Sequence, residues 1–83
     1  MMVRDIIFQK IKENVFISVP ITETSNLYMD LRFDSLSFIV LLTEIEEIYS
    51  ITFDITEMET CLQVGQLITI VENKIKERDN GND

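Results

Sequence analysis

A small all-α domain is the fold class this sequence predicts: a four-helix bundle with three long helices, one short helix and a long first loop. Three observations carry the prediction. Apolar residues recur at helical spacing over three separate segments. The one stretch with strand character, Ser50-Ile51-Thr52-Phe53, has no second strand to pair with and reads as a loop over the core. Finally, 83 residues with no internal repeat and no Gly/Ser linker leave room for a single core. The expected helical domain covers residues 1–78, and residues 79–83 are expected to form a disordered acidic tail.

The first helix is marked by Val3, Ile6, Ile7, Ile11 and Val15, with Arg4, Asp5, Gln9, Lys10, Lys12 and Glu13 at the intervening positions. Val19-Pro20 breaks this period, because the residue before a proline is pushed away from helical backbone. The polar run Thr22 to Asn26, followed by Leu27, Tyr28, Met29 and Leu31, predicts a long, partly packed loop. From Leu36 to Tyr49 the helical period returns strongly, with Asp34 or Ser35 as the cap of its first turn. Asp54 or Thr56 starts a short third helix through Met58 to Cys61. Val64, Leu67, Ile68, Val71 and Ile75 mark a fourth, whose Lys74, Lys76 and Arg78 suit the negative end of a helix dipole.

Composition then excludes most chemistry. A formal charge of −8 repels nucleic acid and anionic lipid, so no nucleic-acid or membrane partner is expected. Without histidine there is no catalytic triad, no imidazole base and no His-ligated zinc, and no calcium-loop pattern occurs, so neither catalysis nor a metal site is expected. One cysteine cannot pair internally, and neither a leader peptide nor a bilayer-spanning run is read, which predicts a reducing, cytoplasmic setting for a monomer. Cys61, set among Met58, Leu62 and Val64, reads as a small buried hydrophobe. Between Lys12 and Lys74 the only basic residue is Arg32, so the middle of the chain is its acidic surface.

The segment Asp30-Leu31-Arg32-Phe33-Asp34-Ser35-Leu36 leads from a loop into the strongest helix and puts one hydroxyl at its start. Asp34-Ser35-Leu36 resembles the Asp-Ser-Leu motif of acyl carrier proteins and the related peptidyl carrier domains. Its context agrees: a preceding Asp-Leu, an amphipathic helix containing Glu44 to Tyr49, and Leu62 to Ile68 opening the last helix. The resemblance runs from about Val3 to Lys76. It implies a 4′-phosphopantetheine arm on Ser35, flanked by Asp34 and Leu36, and a phosphopantetheinyl transferase that attaches it. The family commonly has glycine where this chain has Arg32, which leaves two readings for that residue: an exposed loop cation, or a contact to the attached phosphate.

Two further inferences come from the residues themselves. With no histidine to activate it, Ser35 is a poor nucleophile and must be modified by another protein's active site. A phosphodiester there would lie at the positive end of a helix. Winding the second helix at about 100° per residue puts Phe38, Leu41, Leu42, Ile45, Ile48 and Tyr49 on one side. Leu36, Ile39 and Val40 fall on the other, with Thr43, Glu46 and Glu47. That outer cluster reads as a docking surface for a basic, partly apolar groove, unless the loop from Val19 to Leu31 covers it.

Taken with the resemblance, these features predict a non-catalytic carrier that presents acyl or aminoacyl thioesters to loading and condensing enzymes with basic docking surfaces. Ile39 and Val40, where fatty-acid carriers usually bear more acids, favour specialised polyketide, lipid or nonribosomal-peptide biosynthesis over housekeeping fatty-acid synthesis. An unmodified helical adaptor, with Ser35 only a cap, is the alternative from another class.

Overall fold

The structure, a computed structural model, describes residues 2–16 and 18–80. In chain order it contains α1 (Val3–Asn14), α2 (Ser35–Tyr49), α3 (Ile55–Thr60) and α4 (Val64–Asn80). The predicted bundle of three long helices and one short one is what the described residues form. Their only strand-like pairing is an isolated bridge between Asn26 and Gln63. Ser50 to Asp54 is a loop, as the lack of a pairing partner required.

Each long helix turns a narrow apolar face inward. α1 buries Ile7 and Ile11, one turn apart, and α2 buries Phe38, Leu41, Leu42 and Ile45. Val64, Leu67, Ile68 and Val71 do the same for α4. α1 packs against both α2 and α4. The Asn14 amide ties the first two together by donating to the Glu44 carboxylate at 3.3 Å.

The loop before α2 is part of the core. Leu27, Leu31 and Phe33 are buried in it. Asn26 organises the turn: its Oδ1 accepts the Tyr28 and Met29 N–H groups at 2.9 Å, and its own N–H donates to the Asp30 carboxylate at 2.7 Å. The same loop caps α4. The Ser25 and Glu23 carbonyls accept the Val64 and Gly65 N–H groups at 3.0 and 2.8 Å. A Cβ on residue 65 would lie 3.0 Å from the Glu23 carbonyl oxygen, so only glycine fits this approach without displacing backbone.

α3 has no buried residue of its own. It is set by a capping box between Asp54 and Glu57, which resolves the start in favour of Asp54 over Thr56, and by an ion pair from Lys74 to Glu57 at 2.7 Å. Phe53 before it and Cys61 after it are buried anchors.

Two expectations are corrected. Ile48 was expected in the core stripe of α2, but it is 45% exposed. Its angular position is close to that of buried Leu41, so the difference is axial: Ile48 lies in the last turn, where fewer elements remain to cover it. Tyr49 in the same turn is only partly buried against the core. The acidic tail was expected from residue 79, yet α4 continues through Asn80. Arg78 holds that end of the helix to the end of α2 by donating to the Tyr49 carbonyl. The remainder of the expected tail, residues 81–83, lies outside the described residues.

Candidate functional site

Asp34 is the N-cap of α2, in extended backbone, and its Oδ1 accepts the Ser37 N–H at 2.8 Å. Hydrogen bonds from the Ser37 backbone and then its hydroxyl hold the Asp34 carboxyl below its ordinary pKa of 3.8. Of the two candidate caps, Asp34 therefore does the capping. Ser35 is left as the first helical residue, solvent-exposed, at the positive end of the helix dipole. Its hydroxyl is not consumed by the fold.

Arg32 lies in left-handed backbone, φ 64°, between two residues whose side chains are buried, Leu31 and Phe33. Just after it the Phe33 N–H donates to the Leu27 carbonyl at 2.9 Å, and the Arg32 side chain stands in solvent. The backbone conformation also supplies a reason for the glycine that carrier proteins commonly have at this point, because left-handed backbone is unfavourable for a residue with a Cβ.

On the outer face of α2, Leu36 is 73% exposed, Ile39 47% and Val40 39%. The loop from Val19 to Leu31 does not cover them, so that alternative is set aside. Thr43 and Glu47 are exposed on the same side. Glu46 differs. It is partly buried, and its Oε2 accepts the Phe53 N–H at 2.9 Å, which ties the loop before α3 to α2. Elsewhere, Met2, Phe16, Val19, Met29 and Ile55 also carry exposed apolar side chains, Ile55 at 75%. Ile55 was readable as the residue directly after a cap, a position that starts a helix without entering the core. Cys61 is buried, and burial pushes its thiol pKa up to about 11, so it is unreactive.

No helix of the described residues is long and apolar enough to cross a membrane. An exposed hydroxyl at a helix start, on a small acidic bundle without histidine, is open to another enzyme and has no imidazole of its own to activate it. The comparisons with known proteins agree. The family model for the phosphopantetheine attachment site matches residues 8–71, and the chain belongs to that family, whose members bear 4′-phosphopantetheine covalently. Among solved structures, one assigned as an acyl carrier protein from Mycobacterium tuberculosis superposes with a TM-score of 0.78. It is 28% identical, and the match covers 86% of this chain and 96% of that one. No curated protein matches the chain. The residues present fit the arm: Ser35 offers the exposed oxygen, and the dipole of α2 favours an anion beside it.

Proposed function

We propose that this chain is a carrier whose phosphopantetheine arm is attached through the Ser35 hydroxyl, and that it hands acyl or aminoacyl groups between enzymes. The single observation that carries the reading is the family match across Ser35, a residue that the fold leaves exposed while Asp34 takes the capping role. When attached, the arm supplies a thiol on a long tether, so cargo travels as a thioester. This chain's own residues do the rest. Asp34 fixes the first turn of α2, and Ser35 presents its oxygen to a phosphopantetheinyl transferase acting in trans. Leu36, Ile39, Val40, Thr43 and Glu47 offer an apolar patch rimmed by acid to partner grooves that are basic and partly apolar. Glu46 adds charge to the same rim while holding the α2–α3 loop. The apolar character of Ile39 and Val40 supports specialised polyketide, lipid or nonribosomal-peptide biosynthesis. A cytoplasmic location suits the lone, unreactive Cys61.

The test is incubation of the purified chain with coenzyme A and a broad-specificity phosphopantetheinyl transferase, followed by intact mass. Gain of one phosphopantetheine in the wild type, and none in Ser35→Ala, is the expected result. If several transferases leave the wild type unchanged while loading a control carrier, the chain is an unmodified adaptor instead.

A further inference from the structure

We propose that Arg32 is a positioning residue for the base of the arm, its guanidinium pairing with the phosphodiester on Ser35. This inference rests on the carrier reading above and deepens it.

Arg32 carries a backbone cost with no return inside the fold. Arg32 occupies left-handed backbone, φ 64°, where a Cβ is sterically unfavourable and glycine is not. Its side chain contributes nothing to the fold in exchange. It is exposed, and no hydrogen bond or ion pair is formed by it among the described residues. Of the six other cations, Arg4, Lys10, Lys74 and Arg78 meet acids at 2.8, 3.2, 2.7 and 3.4 Å, and Lys12 and Lys76, which like Arg32 have no such partner among the described residues, stand on the exposed faces of α1 and α4 in ordinary helical backbone. Two acids lie close to Arg32 in sequence, yet each is engaged elsewhere. Asp30 accepts the Asn26 N–H, and Asp34 accepts the Ser37 N–H. Arg32 is thus an unneutralised cation in the acidic middle of the chain.

Its placement is as specific as its charge. Buried Leu31 and Phe33 on either side pin the Arg32 backbone, and Phe33 and the cap Asp34 are all that separate it from Ser35. Attaching the arm adds a phosphodiester anion directly after the Asp34 carboxylate, and two adjacent negative charges repel. A guanidinium three residues upstream offsets that repulsion and offers a planar fork of donors to phosphate oxygens. The contact is between two ions at the surface, so it is screened by salt.

The experiment loads the wild type and Arg32→Lys, Arg32→Gln and Arg32→Gly with phosphopantetheine, confirms one arm on each by intact mass, and records phosphorus NMR at low and high salt. The Arg32 Nε resonance is compared before and after loading of the wild type. Arg32→Gly relieves the backbone conflict, so its fold is retained. In the wild type the phosphorus resonance should move with salt, and the Nε resonance should shift on loading. The glutamine and glycine variants should lose the salt-dependent movement, and lysine should retain part of it. Identical phosphorus spectra in fully loaded wild type and variants, or an unmoved Nε resonance, would overturn the role of Arg32 and leave the carrier reading intact. Slower loading of the variants with unchanged phosphorus spectra would also overturn it, assigning Arg32 to transferase recognition. A wild type that gains no mass while a control carrier is loaded would overturn the carrier reading itself, and this inference with it.

Discussion

Replacing Ile45 by alanine should come close to unfolding this domain, whereas replacing Ile39, on the opposite side of the same helix, by aspartate should not. Ile45 has no solvent exposure and sits among Phe38, Leu41 and Leu42 on the inner face of α2. Its truncation removes three buried carbons. At about 0.8 kcal/mol each, transfer alone costs about 2.4 kcal/mol. The cavity left behind adds to this, within the range of about 2–5 kcal/mol seen for such changes. A chain of this length has a total stability of about 4–12 kcal/mol, so the loss is a large share of it. A loss of about 3 kcal/mol lowers the melting temperature of a domain this size by about 12–24 °C. Ile39 is already 47% exposed, and its replacement should cost less than about 1 kcal/mol, a shift of a few degrees. Circular dichroism melts of the apo proteins, with urea unfolding to check that the slope is unchanged, measure both. If Ile39→Asp melts as low as Ile45→Ala, the outer face of α2 is buried in solution and the docking surface lies elsewhere.

Two more predictions use the charges around α2. Charge reversal at Glu47 should slow association with a loading enzyme at low salt while shifting stability by no more than about 0.5 kcal/mol. Reversal at Glu46 should also destabilise the fold by about 1 kcal/mol, because the Phe53 N–H loses its acceptor, and parallel binding kinetics and melts separate the two. The Asp34 pKa is depressed in the folded state, so its contribution is fully present above the ordinary value of 3.8 and is lost as pH falls through the lower folded value. Asp34→Asn, still able to cap, should therefore show a shallower loss of stability than the wild type below about pH 4 in acid titrations followed by circular dichroism. A parallel decline in the two proteins would remove Asp34 from the acid sensitivity of the fold.

Much of this molecule is local, and what is local was legible. The period of apolar residues from Leu36 to Tyr49 located α2, and Asp34-Ser35 marked its start, because capping and amphipathicity act over a few residues. The same short-range signals marked α1, α3 and the beginning of α4. What only the tertiary structure decided depends on contacts between residues far apart in the chain. Ile48 has the angular position of a core residue but lies beyond the cover that its neighbours provide. Glu46 looks like its neighbour Glu47 in sequence, yet the chain returns at Phe53 and engages one of them. Arg78 reaches the end of α2 from a helix that begins fourteen residues earlier, at Val64, and continues past the expected boundary. The left-handed backbone of Arg32 lies between two side chains, Leu31 and Phe33, whose burial is completed by the helices. Periodicity says which side of a segment prefers to be dry, but which atoms meet there is set by how the segments close on one another.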